Sequence, residues 1–236
     1  MTPDLSIAVF ADGASIDEID MLTQSYGVKG FTTNPTLMAS AGVKDYLPFA
    51  RKLLFAADGR PVSFEVFADD HDEMYRQALI LNDLGPNVYV KIPITTTSGE
   101  FCTPVMGALH REGVKVNATA VFTSEQVKKI AEELTSATPA VVSIFAGRIA
   151  DAGIDPEPLC TEAVEMFANR PGIEVLWASC REIFNVLQAQ RSGCDIVTVP
   201  FNLLPKLLGL GRSLEQFSLE TVRMFFDDAE LSGFVL

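Results

Sequence analysis

Eight short β-like runs alternate with helix-like stretches along the chain, and this repeat limits the possible folds more than any other feature of the sequence. The runs are rich in β-branched and aromatic residues, which favour strands. Helical periodicity marks the intervening stretches, among them 71–84, 124–134 and 181–191. The predicted strands are 6–11, 28–32, 62–67, 88–94, 114–120, 140–145, 174–179 and 195–199.

A repeated strand-helix unit of this count predicts an α/β fold, namely a single (β/α)8 TIM barrel over residues 1–236. No long linker or low-complexity tract divides the chain, and its length suits one such domain. The alternative is an open, doubly wound sheet, which usually has fewer strands and would leave two edges to cover. The segment 214–236 predicts an additional C-terminal helix, whose apolar tail could dock on a neighbouring subunit.

Strand parity predicts which side chains face the barrel interior. Successive side chains in a strand point to opposite faces, so alternate residues form two sets. The apolar set must face the surrounding helices. The other set faces the barrel interior and carries polar groups toward the C-terminal ends of the strands, where barrel enzymes place their active sites. These predicted inward residues are Asp12, Asn34, Glu65, Lys91, Asn117, Thr119, Ser143 and Ser179.

Lys91 lies in the middle of an otherwise apolar run, NVYVKIPIT, over residues 87–95. Burial disfavours the charged form of an amine, and an uncharged amine that faces a carbonyl substrate can form a Schiff base. The alternative is a structural lysine that extends to the barrel mouth. The inward carboxylates, amides and hydroxyls favour a reaction chamber. Lys29 and Lys115 begin their strands, and we interpret them as bystanders.

The composition excludes several classes of function. A formal net charge of -13 would repel a nucleic acid or an anionic membrane surface. The N-terminus does not resemble a signal peptide, and no apolar stretch is long enough to span a bilayer. The four cysteines lack the spacing of a zinc site or a disulfide framework, so we interpret them as reduced, in a cytoplasmic protein. The acidic run 69–73 predicts the start of a solvated helix rather than a metal site.

Six segments together resemble the small transaldolases, a family that also includes fructose-6-phosphate aldolases. They occur in family order and cover nearly the whole chain. The combination of the TTNP and VKIP motifs is specific, whereas either motif alone would be weaker. The segments are GFTTNPT (30–36), SFE (63–65), VYVKIPIT (88–95), NATAV (117–121), SIFAGRI (143–149) and WASCR (177–181).

The resemblance implies a class I aldolase mechanism without a metal or an organic cofactor. Lys91 occupies the position of the Schiff-base lysine, and Asp12 matches the acid/base that takes the proton from the C4 hydroxyl of the donor. Glu65 and Thr119 match the residues that hold a proton-shuttling water. The implied ligands of the dihydroxyacetone unit are Asn34, Asn117 and Ser143, and those of the sugar phosphate are Arg148, Ser179 and Arg181.

Two positions bear on which activity of the family the chain has. The transaldolase branch carries a glutamate and a phenylalanine where this chain has Glu65 and Phe145, whereas the aldolases carry glutamine and tyrosine. The resemblance therefore implies transfer of a dihydroxyacetone unit from fructose 6-phosphate or sedoheptulose 7-phosphate to an aldose phosphate. The alternatives are an aldolase that releases dihydroxyacetone and a non-catalytic sugar-phosphate-binding barrel.

Two further expectations concern the surface of the protein. Arg148 and Arg181 could each pair with a surface carboxylate instead of binding a phosphate, as lone arginines in acidic proteins often do. Family members of this size commonly form pentamers or decamers, so the resemblance implies a homo-oligomer, with which an apolar C-terminus is compatible.

Overall fold

Eight parallel strands close into a barrel, as the strand-helix repeat predicts. The computed structural model of the chain describes residues 5–13, 15–135 and 138–235. Each strand pairs with the next one in sequence, and the last pairs with the first. The strands are β1 (Ala8–Asp12), β2 (Gly30–Thr32), β3 (Val62–Glu65), β4 (Val88–Pro93), β5 (Val116–Val121), β6 (Ala140–Ile144), β7 (Ile173–Trp177) and β8 (Ile196–Pro200).

Helices connect the strands and cover the outside of the barrel. They are α1 (Ile19–Tyr26), α2 (Pro35–Ser40), α3 (Tyr46–Ala57), α4 (His71–Asn82), α5 (Thr103–Arg111), α6 (Ser124–Glu133), α7 (Ala146–Asp151), α8 (Glu157–Phe167), α9 (Phe184–Arg191) and α10 (Leu214–Ser232). Short 3₁₀ segments precede α1 and follow β8. Polar side chains begin several helices: Asp70, Thr123 and Ser213 each accept a hydrogen bond from the backbone amide three residues on.

The acidic run at 69–73 begins α4, as the sequence predicts. The carboxylate of Asp70 accepts from the amide of Glu73, and Asp72 and Glu73 lie in the first turn, where negative charge stabilises the helix. Within the described ranges, no group of three or more His, Cys, Asp or Glu side chains is placed to hold a metal ion. The four cysteines are free thiols and all are buried.

Two apolar layers hold the barrel together, and they confirm the predicted parity. The outward side chains of the strands, such as Phe64, Val90 and Ala118, are fully buried against the helices. A smaller apolar cluster lies on the interior face of the strands. Its members are Phe10, Val141, Leu176, Ala178 and Ile196. Gly30 makes room for this cluster, because a Cβ atom there would lie 2.5 Å from the ring of Phe10.

The additional C-terminal helix, α10, is present but packs differently from the other helices. It contains 19 residues, all of them described, and none is buried. Val222, Phe225 and Phe226 are each at least 60% exposed. Leu236, the last residue of the predicted apolar tail, lies outside the described residues. In the part of the chain that the structure describes, no helix is both long and apolar enough to cross a membrane.

Candidate active site

Lys91 lies inside the barrel with a carboxylate as its nearest charged partner. Its side chain extends from β4, and only 6% of the residue is exposed. Nζ donates a hydrogen bond of 2.7 Å to the carbonyl oxygen of Thr33 and lies 3.2 Å from Oε2 of Glu65. Glu65 is the register partner of Lys91 on β3, so both side chains point to the interior. The parity prediction for this pair is confirmed.

Asp12 ends β1 on the same interior face. Burial raises the pKa of its carboxyl group, while the positive charge of Lys91 and a hydrogen bond from Thr32 partly offset this rise. The hydroxyl of Thr32 donates to Oδ1 of Asp12 over 2.8 Å. The negative charge of Glu65 raises the pKa of Asp12 further. Asp12 is thus a carboxyl group whose ionised form is disfavoured, as a group that must release and take up protons requires.

Thr119 extends above Lys91 from the neighbouring strand. It pairs with Pro93 in the β4–β5 register, two residues beyond Lys91. β5 is irregular just past this point, where Ala120 adopts a left-handed φ of 58°. The hydroxyl oxygen of Thr119 is buried and has no hydrogen-bond partner among the described residues. This oxygen is therefore free to bind a water or a substrate atom that enters the cavity.

Asn117 and Ser143 form a polar layer with Ser63, which shares the inward parity of β3 with Glu65. The hydroxyl of Ser143 donates to Oδ1 of Asn117 over 2.7 Å, and Nδ2 of Asn117 donates to the hydroxyl of Ser63 over 3.0 Å. Asn117 is completely buried beneath the cavity wall, whereas Ser143 lines the cavity. Ser63 fixes the orientation of the Asn117 amide.

Asn34 both begins a helix and faces the cavity. Its Oδ1 accepts a hydrogen bond of 2.9 Å from the amide of Leu37 at the start of α2. Within the described ranges its Nδ2 makes no hydrogen bond, so this amide nitrogen remains available as a donor to a ligand. The capping bond fixes the side-chain rotamer, and thus the direction in which Nδ2 points.

The two arginines are on the exposed rim of the cavity. Arg148 lies on α7, with its guanidinium carbon 5.6 Å from the ring centroid of Phe145. Arg181 follows β7 and pairs with Asp151, its Nη2 lying 2.6 Å from Oδ2. This pair lowers the pKa of Asp151 and raises that of Arg181. The structure thus contains the carboxylate pairing considered for Arg181, although Arg181 also lines the cavity.

The loop after β7 is held in an unusual conformation beside the arginines. Ser179 adopts a left-handed φ of 66°, which ends β7 at Trp177, before the predicted strand end at 179. Gly147 allows this loop to approach α7, because a Cβ atom at Gly147 would lie only 1.6 Å from the carbonyl oxygen of Ser179. The side chain of Asn185 accepts hydrogen bonds from the amides of Arg181 and Glu182 and secures the end of the loop.

These residues enclose a cavity of 540 Å³ at the C-terminal end of the barrel. Of the predicted site residues, only Asn117 does not line the cavity. The predicted site residues that line it are Asp12, Asn34, Glu65, Lys91, Thr119, Ser143, Phe145, Arg148, Ser179 and Arg181. The sequence analysis missed Thr32, Cys180 and Thr198, which also line the cavity. Parity could have identified Thr198, because it is the polar residue on the interior face of β8.

Comparison with known proteins identifies a family and several relatives of this chain. The family model described as transaldolase/fructose-6-phosphate aldolase matches residues 9–233. A probable transaldolase from Thermoanaerobacter sp. is 34% identical over 200 residues, which cover 84% of this chain and 88% of the relative. A probable transaldolase from Methanococcus maripaludis is 36% identical over 199 residues, covering 84% and 88%. A third, from Sphingopyxis alaskensis, is 36% identical over 192 residues, covering 81% and 84%.

A solved structure shares the fold at low sequence identity. It is the crystal structure of KGPDC from Streptococcus mutans, with a TM-score of 0.53 and 11% identity. The alignment covers 83% of this chain and 87% of that chain. At this identity the likeness supports the barrel alone, whereas the match to the family model, over residues 9–233, includes all the residues that line the cavity. The chain therefore belongs to the transaldolase/fructose-6-phosphate aldolase family.

Proposed function

We propose that this protein is a transaldolase that moves a dihydroxyacetone unit from a ketose phosphate to an aldose phosphate through a Schiff base on Lys91. The donor would be fructose 6-phosphate or sedoheptulose 7-phosphate. The observation that carries the proposal is the position of Lys91, whose Nζ is 3.2 Å from Glu65 in a cavity that also contains Asp12. An amine, a proton acceptor beside it and a second acid/base are the groups that this chemistry requires.

Schiff-base formation would use Lys91, Glu65 and Thr119. Nζ of Lys91 gives up a proton to Glu65 and attacks the C2 carbonyl carbon of the ketose, forming a carbinolamine. The C2 hydroxyl then leaves as water after it receives a proton, which Glu65 returns through a water held by Thr119. The short distance from Nζ to the Glu65 carboxylate supports these roles, as does the buried Thr119 hydroxyl, which has no partner in the described part of the chain.

Carbon-carbon cleavage would use Asp12. The carboxylate takes the proton of the C4 hydroxyl, the C4 oxygen becomes an aldehyde oxygen, and the C3–C4 electron pair moves into the protonated imine. The product is an enamine on Lys91, which then attacks the carbonyl carbon of an acceptor aldehyde in the reverse sequence. A carboxyl group of raised pKa suits this alternation, because it releases and takes up protons more readily near neutral pH than an ordinary aspartate.

The rim residues would bind the phosphate. Arg148, Ser179 and Arg181 line the same cavity as Lys91 and follow the C-terminal ends of β6 and β7, where they would meet the end of a sugar chain whose C2 is at Lys91. Nε and Nη2 of Arg181 contact Asp151, which leaves Nη1 and the second Nη2 proton for the ligand. Asn34 and Ser143 would hold hydroxyls of the dihydroxyacetone unit, with Asn117 supporting Ser143 from beneath.

Glu65 and Phe145 favour the transaldolase over the aldolase. A transaldolase holds the enamine for an acceptor, whereas an aldolase lets water protonate it and releases dihydroxyacetone. The ring of Phe145 offers no hydroxyl to such a water, and it packs with Phe122 at a centroid distance of 5.6 Å. Both residues are those that the resemblance assigns to the transaldolase branch.

A direct assay tests the proposal. Free dihydroxyacetone should form slowly from fructose 6-phosphate alone, and addition of erythrose 4-phosphate should produce rapid conversion to sedoheptulose 7-phosphate. Rapid release without an acceptor would reject transaldolase in favour of the aldolase. A chain that neither releases nor transfers the unit, yet binds fructose 6-phosphate, would be the non-catalytic barrel.

We also propose that the protein acts in the cytoplasm as a homo-oligomer. The support is the apolar surface of α10, where Val222, Phe225 and Phe226 are each at least 60% exposed. An apolar surface of this kind is stabilised when another copy covers it. The compartment is proposed because the four cysteines are free thiols, which suit a reducing environment.

A further inference from the structure

Two threonine hydroxyls form a chain behind Asp12, and neither belongs to the residues assigned above. Thr32 is on β2 and Thr198 is on β8, so the two strands that flank β1 each contribute one. Both residues are only 3% exposed. The hydroxyl oxygens of Thr32 and Thr198 lie 2.5 Å apart, and the Thr32 hydroxyl donates to Oδ1 of Asp12 over 2.8 Å.

The order of donors in this chain follows from the number of protons. A hydroxyl has one proton to donate, and that of Thr32 is given to Asp12. The short contact between the two threonines therefore requires Thr198 to donate to Thr32. If Asp12 becomes protonated on Oδ1, the order can reverse, with Asp12 donating to Thr32 and Thr32 to Thr198. In that reversed order every acceptor is neutral, so the chain stabilises the ionised carboxylate more than the neutral carboxyl group, because hydrogen bonds to a charged acceptor are stronger.

We propose that Thr198, acting through Thr32, is a positioning residue for Asp12. The relay, meaning the hydrogen-bonded chain from Thr198 through Thr32 to Asp12, holds Oδ1 of Asp12 and leaves Oδ2 directed at the C4 hydroxyl of the donor. It also stabilises the ionised carboxylate that must accept the proton of that hydroxyl. This inference rests on the proposed function. It adds to that function a residue on the eighth strand whose hydroxyl, rather than its bulk, serves the cleavage step.

The other groups that face Asp12 act on it independently of the relay. Lys91 on β4 lowers the pKa of the carboxyl group through its positive charge, and Glu65 on β3 raises it. Cys180, after β7, is close enough for the charge of Asp12 to affect it, but burial raises the pKa of its thiol to about 12, so the thiol stays neutral. Loss of the Thr198 hydroxyl leaves these three groups in place, and its effect can therefore be measured separately.

Paired variants at position 198 test the inference. Thr198→Val keeps the shape and removes the hydroxyl, whereas Thr198→Ser keeps the hydroxyl and removes a methyl group. We expect Thr198→Val to lower the rate of carbon-carbon cleavage about tenfold, because a weakened hydrogen bond no longer supports the charged carboxylate. The acidic limb of the pH profile should move upward by about one unit, since loss of the bond disfavours the ionised form. Thr198→Ser should keep the cleavage rate and the acidic limb of the parent protein.

Borohydride trapping separates the relay from the rest of the mechanism. The adduct of fructose 6-phosphate on Lys91 should form equally well in the parent and in Thr198→Val, because the relay serves the step that follows imine formation. Thr138→Val is the matched control, since the Thr138 hydroxyl is also buried but donates to the backbone of His110. This control should leave the pH profile unchanged.

The inference is overturned if Thr198→Val keeps the parent pH limb and cleavage rate, or if Thr198→Ser is as impaired as Thr198→Val. Absence of any adduct in the parent would instead overturn the proposed function. In that case the pKa of Asp12 would still test the relay. Infrared titration of the carboxyl band measures this pKa, and Asp12→Asn identifies the band. A higher pKa in Thr198→Val than in the parent supports the relay, and an equal pKa contradicts it.

Discussion

Asp12, which we propose as the acid/base of the cleavage step, works against the stability of the fold that holds it. Burial disfavours its charged form more strongly than Lys91 and Thr32 favour it, so the pKa of the folded state lies above that of the unfolded chain. The free energy of unfolding therefore falls as the pH rises from the unfolded pKa, near 3.8, through the folded pKa. Above the folded pKa the full penalty of the ionised carboxylate remains.

Asp12→Asn should lower the activity of the protein and raise its stability. The amide cannot take the C4 proton, so we expect kcat to fall by about 10² to 10⁴-fold. The melting temperature of the variant should exceed that of the parent at pH 7, and the difference should shrink as the pH falls through the raised pKa of Asp12, because Asp12 in the parent then becomes neutral. Scanning calorimetry over this pH range measures the difference. Asp83→Asn, an exposed change, is the control; an advantage for Asp12→Asn that is independent of pH would contradict this account.

The contact between α7 and the loop after β7 positions residues of the candidate site. Three predicted site residues, Arg148, Ser179 and Arg181, depend on this contact, because α7 bears the first and the loop bears the other two. Gly147 is the point of closest approach, and Ser179 adopts a left-handed conformation to meet it. The part of the cavity rim that we propose to bind the phosphate, called the phosphate rim below, thus depends on a backbone-to-backbone distance rather than on side-chain chemistry alone.

Gly147→Ala should disturb the phosphate rim more than the Schiff-base site. The new methyl group would lie 1.6 Å from the Ser179 carbonyl oxygen, so the loop must move at a cost of about 1–3 kcal/mol. We expect a higher KM for fructose 6-phosphate and little change in borohydride trapping at saturating substrate. Gly209→Ala is the control, because its nearest neighbour would be 3.7 Å away. An unchanged KM would show that the loop does not position the phosphate ligands.

Strands and helices differ from loops in how well the sequence predicts them. The eight strands, their parity and the helix that begins after Asp70 follow from local patterns, and the structure has them. The early end of β7 does not follow, because the left-handed Ser179 depends on Gly147, which is 32 residues away in sequence. Parity correctly predicted Asn117 to face inward, but not its depth below the cavity, which depends on how the strands stagger around the barrel.

The distribution of charge and apolar surface over the whole molecule distinguishes two regions. The cavity rim carries two arginines on a protein of net charge -13, so the sugar phosphate that we propose as substrate would be attracted locally against an overall repulsion. Far along the chain, α10 exposes aromatic and aliphatic side chains without a covering layer in the described protomer. The barrel could be predicted from its internal repeat, but the sequence does not specify which copy or surface covers α10.

Changing two phenylalanines on α10 should weaken self-association without unfolding the barrel. Phe225 and Phe226 are 63% and 65% exposed, so the double variant Phe225→Ser, Phe226→Ser removes apolar surface that no described neighbour buries. We expect the parent to sediment as an oligomer and the variant to shift toward smaller species at the same concentration, with an unchanged circular dichroism spectrum. Phe55→Ser, at another exposed phenylalanine, is the control. A monomeric parent would contradict the proposed assembly.

The covalent role of Lys91 is the claim on which the rest of the account depends. Borohydride reduction in the presence of fructose 6-phosphate, followed by peptide mass spectrometry, tests it most directly. We expect a reduced donor adduct on the peptide that contains Lys91, and none on peptides that contain Lys29 or Lys115, which lie in or beside other strands. Turnover of the donor with no adduct on Lys91, or with the adduct on another lysine, would contradict the account.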